Sequence, residues 1–177
     1  MIVREAKIAD APAIARVNLD TWRTAYRKII PAYYFAQLSY EKGESRWQEI
    51  LKNVKNTGDF VCVAENDSGQ IVGFAAGGCE RTGKYVYQGE LFAIYILEEY
   101  QRQGIGRQLV RTVATKLAEL TLNSMLVWVL GDNPACRFYE FLGGEKVEEQ
   151  QTSRAGVALK EIAYGWRDIA VLIDRSA

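Results

Sequence analysis

A run of amide, guanidinium and glycine residues lies in the middle of the chain, between an apolar segment and a helical pattern. Residues 98–110 are EEYQRQGIGRQLV, in which Gly104 and Gly106 are one residue apart. Glycine allows unusual backbone dihedrals and close approach to a ligand, and the successive N–H groups of a helix start attract anions. The spacing therefore predicts a phosphate-binding turn between a strand and a helix.

The spacing of these glycines excludes the two commonest nucleotide motifs. A P-loop needs GxxxxGK[ST] and a dinucleotide fingerprint needs GxGxxG, so both require a glycine five residues after the first. Counted from Gly104, that position is Leu109. The phosphate group must therefore belong to another class of ligand, unless the turn is an ordinary helix start.

Residues for metal binding and for nucleophilic catalysis are scarce. The chain of 177 residues contains no histidine, and none of its three cysteines, Cys62, Cys79 and Cys136, forms a CxxC pair. Cys–His and Ser–His pairs are therefore excluded, and zinc would lack ligands, so we predict no metal. We expect all three cysteines to be buried, reduced thiols.

Composition predicts an ordinary globular protein. Apolar residues make up 49% of the chain, and 22 basic residues balance 22 acidic ones, so net charge favours neither nucleic acid nor membrane as a partner. The first residues, MIVREAKIADA, carry charges where a signal peptide needs an apolar run. We therefore expect a single domain over residues 1–177, located in the cytoplasm.

Hydrophobic periodicity predicts the elements that would position the glycine turn. The order of strands and helices is that of an α/β protein with a mixed sheet and helices on its faces. Strands are predicted at 2–7, 60–64, 71–75, within 85–97, at 125–130, near 145–151 and near 158–166. Helices are predicted after Asp10 as N-cap, from Pro31, at 42–54, from the glycine turn to 120, and at 134–142.

Three segments carry a resemblance to a known family. Residues 101–106, QRQGIG, follow a strand and resemble the pyrophosphate loop (Q/R-x-x-G-x-G/A) of the GNAT superfamily, the acetyl-CoA-dependent N-acyltransferases. Residues 131–144 resemble that family's N-x-x-A-x-x-F-Y-x-x-x-G-F segment, and residues 160–166 resemble its closing strand. Cys136 and Gly144 depart from the pattern, because small or polar residues and phenylalanine are usual there.

The resemblance implies a GNAT-like fold, with a central, mostly antiparallel sheet splayed at the cofactor site. Acetyl-CoA would bind there as co-substrate, without a metal. Ile94 and Ile96, on the strand that enters the loop, would offer backbone hydrogen bonds to the pantetheine arm. The implied cofactor-binding residues are Ile94, Tyr95, Ile96, Gln101, Arg102, Gln103, Gly104, Ile105, Gly106, Arg107, Asn133 and Ala135.

The implied reaction is direct attack of a primary amine on the thioester in a ternary complex, which needs no nucleophile from the enzyme. Tyr139 occupies the position of the family's general acid; the alternative role for it is aromatic packing. Glu90 is the candidate base, directly or through water; alternatively it is a polar residue at a strand end. Trp22 and Tyr26 would supply aromatic surface for the acceptor.

Two functions from different classes stay open at this point. One is an N-acetyltransferase acting on a small-molecule or peptide amine, and the other is a catalytically degenerate sensor or regulatory module that binds acyl-CoA. Retention of Tyr139 and of the whole glycine loop favours the enzyme, because a sensor could discard the acid. An interaction module is disfavoured by the balanced charge. The acceptor stays open, and so does the oligomeric state, monomer or homodimer.

Overall fold

The structure is a computed structural model that describes residues 1–154 and 156–174. Its strands are β1 Ile2–Glu5, β2 Phe60–Glu65, β3 Ile71–Cys79, β4 Gly89–Ile96, β5 Met125–Leu130, β6 Glu145–Arg154 and β7 Val157–Trp166. Its α-helices are α1 Ala11–Tyr26, α2 Ala32–Ala36, α3 Tyr40–Thr57, α4 Ile105–Glu119, α5 Ala135–Phe141 and α6 Ala170–Ile173.

The strands form one mixed sheet in the order β1-β2-β3-β4-β5-β7-β6. Each pair of neighbours is antiparallel except β4 and β5, which are parallel. Helices lie on both faces, because α1 and α3 pack on one side of β2 and β3 and α4 packs on the other. The predicted fold class, a mostly antiparallel mixed sheet flanked by helices, is confirmed.

The sheet splits between β4 and β5, as the resemblance implied. Parallel pairing joins only residues 89–91 to residues 125–127, and beyond these β4 pairs with β3 alone. The register of β3 with β4 shifts between Ala76 and Gly77, which leaves Phe92 as an extra residue in β4. Because a bulge bends and twists its strand, this one turns the second half of β4 away from β5.

Apolar side chains pack on both faces of the split sheet. On the α1–α3 face, the rings of Trp47 and Phe74 meet edge to face, with centroids 4.9 Å apart. On the α4 face, Leu109, Val113 and Leu117 are completely buried at helical spacing. No helix in the described part of the chain is long and apolar enough to cross a membrane.

Several local predictions need correction. Asp10 precedes α1, but its carboxylate accepts a hydrogen bond from the Lys7 amide (2.7 Å) and pairs with Arg4 instead of capping that helix. The Arg4 guanidinium lowers the pKa of Asp10. Cys62 is buried and its pKa is raised by burial to about 12, as expected for an inert thiol. Cys79, however, is exposed at the end of β3, and Cys136 is only half-buried.

Candidate active site

The glycine turn forms the start of α4, and its backbone amides lack intrahelical partners. A short 3₁₀ helix, Glu98–Tyr100, leads from β4 into the turn, where Arg102 (φ 61°) and Gly104 (φ 83°) are left-handed. The Gln108 amide donates to the Gly104 carbonyl (3.1 Å), which is the first hydrogen bond of the helix. The amides just before Gln108 therefore have no carbonyl partner within the helix. No side-chain cap and no first-turn acid is found there among the described residues. The turn therefore has the geometry of an anion site.

Side chains of the turn fix it to the end of β4. Gln101 Nε2 donates to the Ile96 carbonyl (2.9 Å), and Gln103 Nε2 donates to the Glu99 carbonyl (3.0 Å). Both amides thus stabilise the loop itself, while the backbone between them stays exposed. Two cations flank the turn. Arg102 is exposed, and the guanidinium of Arg107 lies 5.4 Å from the ring centroid of Phe141.

The second half of β4 presents a backbone edge that β5 does not cover. The Leu97 amide donates to Val72 of β3, whereas the Ile96 carbonyl accepts from Gln101 and so points the other way. Because backbone groups alternate along a strand, those of Ile94 lie on the same uncovered edge. The structure therefore offers Ile94 and the Ile96 amide to a ligand, while the Ile96 carbonyl already has a donor.

Helix α5 closes the other side of the split. Asn133 Oδ1 accepts from the Ala135 amide (2.9 Å), so Asn133 caps the helix start as predicted. The ring of Phe138 lies against Gly106, where a Cβ atom would come within 3.1 Å of it. A side chain at position 106 would thus fill the junction between the glycine turn and α5.

Tyr139 follows Phe138 and is buried inside this junction. Only 3% of the residue is exposed, and its ring centroid lies 5.5–6.3 Å from those of Phe138, Tyr164 and Trp166. Its hydroxyl makes no hydrogen bond to any described residue. Burial raises the pKa of Tyr139, and the Tyr95 and Tyr26 hydroxyls add to the rise. The group therefore stays protonated at neutral and mildly alkaline pH.

The hydroxyls of Tyr26, Tyr95 and Tyr139, which we call the tyrosine group, lie close enough to interact electrostatically. Trp22 Nε1 donates to the Tyr95 hydroxyl (2.9 Å), and Asn133 Nδ2 donates to the Tyr26 hydroxyl (2.9 Å). Helix α1 is thereby joined both to β4 and to the start of α5. Tyr95 was predicted as a cofactor-binding residue, and its alternation with Ile94 and Ile96 puts its side chain on the α1 face of the sheet.

Asn133→Ala is expected to lower the free energy of unfolding by about 1–2 kcal/mol, because it removes the cap of α5 and the bond to Tyr26 together. Tyr26→Phe removes only the second of these and should have a smaller effect. Urea unfolding of both variants measures the difference. Equal losses of stability in the two variants would mean that the cap contributes nothing.

Glu90 lies apart from the tyrosine group. It is five residues before Tyr95 in β4, which corresponds to ~16 Å along a strand, and it is 3% exposed. The Arg81 guanidinium contacts both carboxylate oxygens, with Nε to Oε2 at 3.1 Å, and this contact raises the pKa of Arg81. Arg81 also lies over the Phe92 ring at 4.5 Å. Any proton transfer to Glu90 must therefore cross water or displace Arg81.

The departure at Gly144 has a structural explanation. A Cβ atom at this position would lie 2.7 Å from the indole of Trp166. Trp166 fills the space next to Tyr139, and its Nε1 donates to the Leu142 carbonyl (3.1 Å). The tryptophan of β7 thus occupies the space that a side chain at position 144 would need.

Comparison with known proteins adds independent evidence. The sequence pattern of the family described as FR47-like protein matches residues 70–154, which contain the glycine turn and α5. An uncharacterized N-acetyltransferase of Bacillus subtilis, YuaI, is 43% identical over 170 residues, which are 96% of this chain and 95% of the relative.

Solved structures of acetyltransferases have the same fold as this chain, and two of them illustrate the degree of similarity. Ribosomal-protein-alanine N-acetyltransferase of Brucella melitensis gives a TM-score of 0.71 at 23% identity, covering 94% of this chain and 99% of that one. The PaiA N-acetyltransferase of Thermoplasma acidophilum, solved with coenzyme A, gives 0.69 at 21% identity, covering 90% and 96%. At these identities the two structures support only the fold of this chain, not its activity or its substrate.

Proposed function

Because this chain belongs to the GNAT superfamily of N-acetyltransferases, we propose that it transfers an acetyl group from acetyl-CoA to a primary amine. Membership makes it an acyltransferase. The acetyl donor, the class of acceptor and the residues that act are the proposal. The acceptor is a small molecule or a peptide, and it attacks the thioester directly while both substrates are bound.

One observation carries the proposal: the split between β4 and β5 joins three features at one place. These are the uncapped amides at Gly104, the uncovered backbone edge at Ile94, and the hydroxyl of the buried Tyr139, which is unpaired among the described residues. A pyrophosphate fits the amides, because exposed N–H groups and two flanking arginines supply hydrogen bonds and positive charge. An extended amide-containing arm fits the edge, because it can pair with β4 as a strand would.

Tyr139 is proposed to donate a hydrogen bond to the departing sulfur. In the reaction a bond forms between the amine nitrogen and the acetyl carbon, the carbon–sulfur bond breaks, and the thiolate takes the electron pair. A phenol with pKa near or above 10 holds its proton more tightly than a thiol near 8.5. Tyr139 therefore stabilises the thiolate mainly as a donor, and the proton released by the amine is the one that finally reaches the sulfur.

Glu90 is proposed to accept the amine's proton through water. The Glu90→Gln variant should lower kcat/KM by about 10²-fold near pH 7, where a lysine-like amine (pKa ~10.4) or an α-amine (pKa ~8) is mostly charged. Above the amine's own pKa the acceptor arrives neutral and needs no base. The defect should therefore shrink as pH rises through that value, which a profile of kcat/KM against pH for both proteins measures.

The Arg81 contact defines the competing role for Glu90. If the carboxylate only holds Arg81 and the loop after β3, the ratio of wild-type to Glu90→Gln activity should stay constant across the pH range. A constant ratio would remove Glu90 from the proton path. Water or another residue would then be the base.

The experiment that tests the function is release of free CoA from acetyl-CoA on addition of a panel of primary amines. Release that depends on both substrates is expected. If acetyl-CoA binds but no amine causes release of CoA, the sensor or regulatory module is favoured instead, because it shares the binding turn but not the chemistry.

A further inference from the structure

Arg154, at the end of β6, lies over the indole ring of Trp22, which donates to the Tyr95 hydroxyl. The guanidinium carbon is 5.2 Å from the ring centroid, within the range of a cation–π contact. Around these residues α1 and α2 pack against the ends of β5 and β7, through a cluster of apolar and aromatic side chains. Its buried members are Tyr26, Ile30, Leu130 and Leu159. Arg154 thus lies over Trp22 and next to the cluster that contains Tyr26, the two residues for which the sequence predicts contact with the acceptor.

The guanidinium has hydrogen-bonding capacity that the described residues leave unused. Its nearest carboxylate oxygen belongs to Glu161 and lies 3.7 Å from Nη2, beyond hydrogen-bond distance, and 40% of the side chain is exposed. Glu161 in turn accepts from Gln150 Nε2 (3.1 Å) through its other oxygen. Arg154 is thus held loosely by one acid and stacked on one ring, with several N–H donors available to a ligand.

The positive charge of Arg154 acts on the Tyr26 and Tyr95 hydroxyls. Burial raises the pKa of Tyr26 and of Tyr95, and Arg154 opposes the rise in both. A ligand group bound by this guanidinium would therefore lie next to Trp22, whose Nε1 donates to the Tyr95 hydroxyl.

We propose that Arg154 binds a carboxylate of the acceptor, and hence that the acceptor is a small molecule with both an amine and a carboxylate, as an amino acid has. This inference rests on the proposed transferase function and specifies its substrate class. The planar guanidinium presents parallel N–H groups that match the two oxygens of a carboxylate. The cation–π contact with Trp22 restrains the guanidinium, so less conformational entropy is lost when the carboxylate binds.

The test compares L-amino acids with their own amides as acceptors in the CoA-release assay. Each pair shares the amine and the side chain and differs in the carboxylate. The two amines have different pKa values, so rates are expressed per neutral amine. The wild-type protein should prefer the carboxylate by about 10- to 100-fold in kcat/KM, the range for a charge-assisted hydrogen bond. Arg154→Gln should reduce that preference to about one.

Arg23→Gln is the matched control, because Arg23 also stacks on an aromatic ring, that of Tyr40 at 5.4 Å, but outside this cluster. It should keep the wild-type preference. Thermal unfolding and acetyl-CoA binding of Arg154→Gln should match the wild type, which excludes a general folding defect. An equal preference in wild type and Arg154→Gln, or no preference in the wild type, would overturn the assignment.

Other outcomes separate this inference from the proposed function. Acetylation of amines without a carboxylate, combined with inactivity toward every amino acid, would overturn the role of Arg154 and leave the transferase standing. Inactivity toward all amines would overturn both.

Discussion

The Tyr139→Phe variant is expected to lower kcat by about 10²–10⁴-fold and to leave the affinity for acetyl-CoA nearly unchanged. The substitution removes only the hydroxyl, which has no hydrogen-bond partner among the described residues, so the packing of the ring should persist. Stability should therefore change little. The loss should fall on kcat because the thiolate, which the hydroxyl would stabilise, forms only as the carbon–sulfur bond breaks.

Tyr164→Phe is the matched control for this experiment. Tyr164 is a buried neighbour whose ring centroid lies 5.9 Å from that of Tyr139, but its hydroxyl donates to Glu140 (2.8 Å). Loss of that bond should reduce stability by about 1 kcal/mol and leave kcat close to the wild-type value. Full activity in Tyr139→Phe, or equal loss in both variants, would assign Tyr139 to aromatic packing alone.

Gly104→Val should abolish the stabilisation that acetyl-CoA gives the wild-type protein. At a ligand concentration 100 times its dissociation constant, that stabilisation is ~2.7 kcal/mol, or about 5–10 °C in Tm for a domain of this size. Gly104 has φ 83°, where a β-branched residue is strained. Relief of that strain would turn the amides of the helix start away from the phosphate.

Gly58→Val controls for backbone strain alone. Gly58 has φ 77° at the C-cap of α3, and like Gly104 it has open space where a Cβ atom would stand. This variant should have a lower Tm than the wild type and still show the full shift with acetyl-CoA. Gly106→Val tests the same turn through a steric clash, because the added side chain would press on the ring of Phe138. Normal shifts in Gly104→Val and Gly106→Val would remove acetyl-CoA from this turn.

Elements with strong local signals were predicted from the sequence almost to the residue. The strand at 125–130 is found as Met125–Leu130, because a short apolar run bounded by polar residues is typical of a buried strand. The helix at 134–142 is found as Ala135–Phe141, because Asn133 and Pro134 define its start. The splay between β4 and β5 came from family resemblance, and the bulge at Phe92 was not predicted, although Gly77 and Gly78 in the facing strand are residues that often mark one.

Contacts between distant residues were not predictable in this way. Asn133 and Tyr26 are 107 residues apart, so only the packing of α1 against the start of α5 brings them together. Arg81 lies in the loop after β3, where nothing in the sequence marks it as the partner of Glu90. The place of Arg154 over Trp22 likewise depends on how the hairpin of β6 and β7 meets α1.

Direct attack in a ternary complex is tested by a two-substrate initial-rate study with acetyl-CoA and the best amine of the panel, with the product identified by mass spectrometry. We expect one acetylated amine for each CoA released, and double-reciprocal lines that intersect, because both substrates must be bound before transfer. Parallel lines would indicate an acetylated enzyme and contradict direct attack. Binding of acetyl-CoA without any acetylated product would contradict the function itself.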